Sequence, residues 1–237
     1  MLSAFVQGLS RRVPSTCAVC HAWPSQALCE DCVQAFAQPV QRCPGCALPI
    51  PDTMARCRRC TAHPPAWDLA LAAVDYAYPW DRLIAHFKFQ EHPAWARHFA
   101  ALMHTTPWVE PALDATDMVI PMPLATERLR QRGFNQSALL ARQLSPAKTR
   151  EGLLLRIINT PAQHALDRQD RQQNVRNAFA MEPSRHQEVA GQRIVLVDDV
   201  MTSGASMEAA CTALQQAGAA HITALVFART GMDARLA

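Results

Sequence analysis

Ile194-Val195-Leu196-Val197-Asp198-Asp199-Val200-Met201-Thr202-Ser203-Gly204-Ala205-Ser206 sets four apolar residues directly before two carboxylates and a hydroxyl-rich turn. The run Ile194 to Val197 is short, β-branched and uninterrupted, which predicts a strand buried on both faces. The carboxylates then fall at its carboxyl end, where open α/β sheets bind ligands. From Thr202 the chain turns into a helix, so unpaired backbone N–H groups and the positive end of the helix dipole face one point. Gly204 permits close approach there, and three hydroxyls add donors. Thr202, Ser203, Gly204, Ala205 and Ser206 therefore read as a monophosphate site. Asp198 and Asp199 would repel that anion unless they face sugar hydroxyls with a divalent cation nearby. The plainer alternative is a strand, an acidic turn and an ordinary capped helix, although a cap requires only one short polar residue.

Working outward, the pattern alternates. Leu69 to Tyr78 reads as a buried strand, Asp81 to Gln90 and Ala94 to His104 as helices parted at Pro93, and Met118 to Pro121 as a short strand ended by proline. Phe134 to Leu144 reads as a helix. Leu153 to Ile158 and Asn177 to Met181 are weaker strands around a polar Gln- and Arg-rich connection. Met207 to Ala217 is a helix stopped by Gly218, and Ile222 to Ala228 a last strand. Such alternation predicts an α/β fold with an open, mainly parallel sheet flanked by helices. With 49% apolar and 18% charged residues in 237, the chain can build a core and is not a disordered one. A net charge of +3 excludes binding dominated by non-specific phosphate attraction unless the basic residues cluster. No segment reaches the roughly 18 apolar residues of a spanning helix. Met1 to Ser10 is too short for an export signal, so the expectation is a cytoplasmic protein without membrane insertion.

Eight of the nine cysteines form four pairs with two residues between partners: Cys17/Cys20, Cys29/Cys32, Cys43/Cys46 and Cys57/Cys60. Each pair, closed by a tight turn, aims two thiolates at one point, and two such turns complete a tetrahedral cage that selects zinc. Cys43-Pro44-Gly45-Cys46 carries the turn chemistry most clearly. The simplest grouping is Cys17, Cys20, Cys29, Cys32 and then Cys43, Cys46, Cys57, Cys60, with interleaved ligation also open. A disulfide framework suits an exported chain, and redox chemistry needs a single pair. With every ligand position filled by sulfur, no place remains for substrate, so two structural zinc ions are expected. His21 and His63, beside ligand pairs, read as solvated neighbours, and Cys211 as a small buried residue. The stiff Thr61-Ala62-His63-Pro64-Pro65 run places a boundary near residue 65, dividing a cysteine-rich 1–65 from an α/β 66–237.

A second polar centre follows Pro121-Met122-Pro123-Leu124: Arg128, Arg130 and Arg132 lead into Gly133-Phe134-Asn135-Gln136-Ser137. Arginine forks grip phosphate oxygens at two points, and a glycine before a helix offers further anion-facing donors. Two anion sites would suit a ligand with phosphate at one end and pyrophosphate at the other. A solvated arginine face is the alternative.

The thirteen residues from Ile194 resemble the phosphoribosyl pyrophosphate signature of type I phosphoribosyltransferases, with Ser203 and Ser206 where threonine is common. The resemblance implies Asp198 and Asp199 on ribose hydroxyls and Thr202 to Ser206 around the 5-phosphate. Four cysteine pairs, Phe87-Lys88-Phe89, Arg132-Gly133-Phe134-Asn135-Gln136, the Arg171 to Phe179 stretch and this signature, in that order, resemble the competence protein F (ComF, or GntX-like) family over nearly the whole chain. That resemblance implies a double zinc ribbon joined to a phosphoribosyltransferase-like domain. It implies phosphoribosyl pyrophosphate with Mg2+ as ligand, and a pyrophosphate subsite of Lys88, Arg128, Arg132, Asn135 and Gln136. Arg168, Arg171, Asn174 and Arg176, in the polar connection, would either close over it or face solvent. It further implies work in DNA uptake or processing, with single-stranded DNA and protein partners. No segment is assignable to gripping a base, so two functions stay open: a phosphoribosyl transferase with an unidentified acceptor, or a non-catalytic sensor or DNA-binding module. In the latter Arg42, Arg56, Arg58 and Arg59 would meet DNA, and Trp23 and Trp67 would stack on bases.

Overall fold

The computed structural model describes residues 15–89, 92–157 and 178–231. Arg168, Arg171, Asn174 and Arg176, expected over the pyrophosphate, lie outside them. The chain forms two compact units, Met1–Gln38 and Pro39–Ala237. The second cysteine set is thus part of the larger unit, whose composition changes character only near residue 65.

The first unit repeats in miniature what the start of the second does. An antiparallel bridge, Ser15 with Ser25, closes the turn of Cys17 and Cys20. Helix α1 (Glu30–Phe36) then begins with Cys29 as N-cap, its sulfur accepting the Cys32 N–H. In the larger unit Arg42 bridges Pro49 around Cys43 and Cys46, and Cys57 caps α2 (Arg58–Ala62) by accepting from Cys60 N.

The larger unit is built on a four-stranded parallel sheet. Its strands are β1 (Leu69–Asp75), β2 (Met118–Pro121), β5 (Arg193–Met201) and β6 (His221–Arg229), in the order β1-β6-β5-β2. Between β2 and β5 in sequence, β3 (Leu154–Arg156) and β4 (Phe179–Met181) form a separate antiparallel pair. Successive side chains of a strand face opposite ways. Accordingly Ile194, Leu196, Ile222, Ala224 and Val226 join one apolar cluster with Met207, Ala210, Cys211 and Leu214 of α8 (Ala205–Gln216). On the other face Phe227 meets Trp80 and Phe99, with ring centroids 5.7 and 4.1 Å away. These rings belong to α3 (Trp80–Phe89) and α4 (Trp95–Thr105), and α4 packs in turn on α7 (Gln136–Leu144). Helices on both faces of a parallel sheet give the expected class. Cys211 is fully buried, as a small core residue should be.

Three details depart from the sequence reading. β5 does not stop at Val197 but continues through both aspartates to Met201, because β6 pairs with it as far as Arg229. The arginines of 128–132 lie on a helix, α6 (Thr126–Arg132), which Gly133 ends at φ 74° with its N–H on the Leu129 carbonyl. A third short helix, α5 (Val109–Asp114), was not expected. Among the described residues no helix is long and apolar enough to cross a membrane.

Candidate functional site

β2 ends at Pro121, its last pairing being with Val197, and Met122 N–H still bonds the Val197 carbonyl at 2.8 Å. Beyond that point β5 has a neighbour on one side only, which opens a crevice at Asp198 and Asp199. Asp198 Oδ1 accepts from Ser137 Oγ at 2.8 Å and from Asp199 N at 2.9 Å. Asp199, 7% exposed, pairs with Lys88 Nζ at 3.0 Å. The β5 strand thus draws together α3 and the start of α7, distant in sequence, at one acidic point.

Two carboxylates so close cannot both ionise freely. Burial, then the charge of Asp199, pushes Asp198 up to about 7, against the pull of Lys88, the Ser137 hydroxyl and the Asp199 N–H. Cations surround the pair. Arg132, at the end of α6, has its ordinary value lowered by burial and then by Arg128, with Asp199 and Asp198 opposing. Arg156 of β3 is lowered by burial and by Arg128, with Asp198 opposing. Sequence reasoning missed Arg156, since nothing in a three-residue strand marks it as lining a site. Its guanidinium lies 5.5 Å from the Phe179 ring centre, and Arg132 lies 4.9 Å from that of Phe89.

Gln136 is 2% exposed and accepts from Arg132 Nη1 at 3.1 Å. Its Nε2 has no hydrogen-bond partner among the described residues. A buried donor left unmade is costly, so an acceptor is called for here. Asn135 is engaged at both ends of its amide: Oδ1 caps α7 by accepting from Ser137 N and Ala138 N at 3.0 and 3.4 Å, while one N–H of Nδ2 donates to the Met122 carbonyl at 3.0 Å. Arg128 is exposed on α6.

After β5 the loop turns into α8 with Gly204 at φ 83° as N-cap. Thr202 and Ser203 are exposed, and Ala205 N donates to Ser203 Oγ at 3.3 Å. Hydroxyls and N–H groups therefore stand at a helix start immediately beyond the acid pair, the layout an anion needs.

Both cysteine sets fit zinc. The four sulfurs of Cys17, Cys20, Cys29 and Cys32, and those of Cys43, Cys46, Cys57 and Cys60, lie within 4.8 Å of one another. Sulfur pairs at 3.8, 3.6 and 3.7 Å match the edge of about 3.8 Å that Zn–S bonds of about 2.3 Å dictate. They are far too long for disulfides, and all eight thiols are free. Burial opposes ionisation of Cys43, yet N–H donors of Cys57, Gly45 and Cys46 bring it down to about 7. Burial, with the repulsion of Cys43 and Cys57, then pushes Cys46 up to about 11. Such a set becomes four thiolates only around a cation. His21 and His63 are exposed and in neither set.

A family described as "Phosphoribosyl transferase domain" matches residues 132–235. "DNA utilization protein YhgH" of Escherichia coli O6:H1 is 32% identical over 232 residues, covering 92% of this chain and 98% of its own. The protein of the same name from Salmonella typhimurium is 31% identical over 227 residues with the same coverage. "Competence protein F" of Haemophilus influenzae is 31% identical over 210 residues, 85% of this chain and 90% of its own.

This chain belongs to the ComF family. Its ComF character joins a phosphoribosyltransferase-like α/β unit to paired cysteine sets suited to zinc.

Proposed function

We propose that the crevice binds phosphoribosyl pyrophosphate with Mg2+, that zinc fills both cysteine sets, and that the protein acts in DNA uptake or processing. The observation that carries this is the acid pair, with Lys88 paired to Asp199 and the Ser137 hydroxyl bonded to Asp198, standing between a helix-start loop and a bank of arginines. The 5-phosphate sits against Thr202 to Ser206, and Asp198 and Asp199 take ribose hydroxyls. Lys88, Arg128, Arg132 and Gln136 meet the pyrophosphate, joined by Arg156, with the idle Gln136 amide donating to it. Asn135 contributes through the turn it holds. Among the described residues only the cysteine sets gather three or more metal-ligating groups. Mg2+ bound together with this ligand would supply neutralisation of the pyrophosphate charge.

In a transferase the arginines hold the departing pyrophosphate while the carboxylates support positive charge developing on the sugar. Calorimetric titration of phosphoribosyl pyrophosphate, with and without Mg2+, tests the site. Binding should need Mg2+ and weaken about tenfold or more in Asp198→Asn, the loss of one good hydrogen bond to a charged group. Equal binding by both proteins, or none by either, would overturn the assignment. Pyrophosphate release above background with a nucleobase, nucleic acid or protein acceptor separates transferase from sensor.

The DNA role is carried over from the names of the relatives. Arg58 and Arg59 are exposed on α2 and suit a phosphate backbone, whereas Arg42 is engaged with Asp75 at 2.7 Å and Trp67 is buried. Trp23 is 65% exposed and able to stack. A labelled single-stranded oligonucleotide should bind with affinity falling steeply as salt rises, and more weakly to Arg58→Ser/Arg59→Ser.

A further inference from the structure

Three consecutive carbonyls of the Cys43-Pro44-Gly45-Cys46 turn are each claimed by a donor from the α/β body. Ala70 N bonds Pro44 O at 2.7 Å, Trp67 Nε1 bonds Gly45 O at 2.9 Å, and Arg229 Nε bonds Cys46 O at 2.8 Å. One of these donors bonds the loop that follows β5, and another lies beside it. Arg229, 4% exposed at the end of β6, directs Nη1 to Met201 O at 3.0 Å and to Thr202 O. The same nitrogen reaches Thr230 O at 2.8 Å. The far edge of the Trp67 ring, Cη2, lies 3.7 Å from where a Cβ on Gly204 would stand. One guanidinium and one indole therefore connect the backbone of a metal turn to the backbone of the loop 202–206. Gly45 is also the point where the turn is tightest: an added Cβ would lie 2.7 Å from Cys60 Cβ and 2.9 Å from its sulfur.

We infer that Arg229 and Trp67 are positioning residues through which the metal of the second cysteine set holds the loop 202–206 in shape. The thiols converge only while a cation neutralises them, and on its loss the turn relaxes. Its carbonyls then leave the indole N–H and the Arg229 Nε–H without their acceptors, and both side chains shift with the loop they brace. The inference rests on zinc in the second set but not on the identity of the ligand at the loop.

The test follows hydrogen exchange in full-length protein, read at 202–206 and at 194–197 as an internal control. The samples are the zinc-loaded wild type, the wild type stripped by a mercurial reagent and chelator, and zinc-loaded Trp67→Phe and Arg229→Lys. Trp67→Phe drops the N–H and withdraws the Cη2 edge from Gly204, cutting both links of the indole at once. Stripping should speed exchange at 202–206 about tenfold or more while 194–197 stays protected, and Trp67→Phe should speed it several-fold, on the scale of one lost hydrogen bond. Arg229→Lys, should it fold, should also raise it. Coupling is reciprocal, so Trp67→Phe should also weaken the binding of one zinc ion, read by equilibrium competition with a chelator, and leave the other unchanged. Two zinc ions with exchange at 202–206 unmoved by stripping would overturn this inference alone. A chain that binds no zinc would overturn it together with the metal assignment. Phosphoribosyl pyrophosphate failing to bind, with the exchange pattern as expected, would overturn only the ligand assignment.

Discussion

Asp198→Asn should make the ligand-free protein more stable at alkaline pH and leave it nearly unchanged at acid pH. Asparagine keeps an oxygen for the Ser137 hydroxyl and the Asp199 N–H, so the perturbation is mainly loss of a charge. In the unfolded chain this carboxyl ionises near 3.8, but in the fold burial and Asp199 hold it to about 7. Between those values the folded state keeps a proton that the unfolded state has lost. Stability from this group thus falls as pH rises from about 4 to about 7 and is level above that. The full displacement corresponds to a ceiling of about 4 kcal/mol, and partial access of water to the crevice reduces this to about 1–2 kcal/mol. Urea unfolding of both proteins at pH 5 and pH 8 measures it. A difference of the same size at both pH values would show that Asp198 ionises normally and that the acid pair is not coupled as described.

Removing Lys88 alone leaves Asp199 buried without its cation, so Lys88→Met should cost about 2–3 kcal/mol. Adding Asp199→Asn should recover much of that, and a double-mutant cycle of unfolding free energies gives the coupling. Gly45→Ala forces a methyl onto Cys60 and should lower zinc content from about two ions per chain toward one, read by metal analysis. Gly204→Ala has room for its methyl but strains a left-handed backbone. It should lower the unfolding free energy by about 1 kcal/mol and weaken sugar-phosphate binding in calorimetry.

The parts of the fold that sequence reveals are those with a period of their own. Met118 to Pro121 is strand over the residues expected, and helices α3, α4 and α8 begin or end within two residues of expectation. Apolar spacing and proline mark them locally. The acid pair, by contrast, reads as lying past a strand end, because carboxylates break an apolar run. Its place inside β5 comes from the length of β6, which is not a local property. The cysteine sets were legible through spacing, whereas their embedding was not: Arg229 looks like any strand-terminal arginine, and its acceptors are carbonyls some 183 and 27 positions away. Arg156 and Ser137 were invisible for the same reason. Asn135 was legible as polar and near a helix start, but only the structure shows both ends of its amide already spent.

Because β5 pairs with β6 at Asp198 and again at Val200 and Met201, on both sides of Asp199, the acidic wall of the crevice moves only with the whole sheet. The facing wall is α6, seven residues long with no buried side chain. A ligand held as proposed would therefore lie between a yielding wall and a rigid one. The entropy surrendered falls almost wholly on the arginine-bearing side, so substitutions that stiffen α6 would tighten binding without touching a single contact atom.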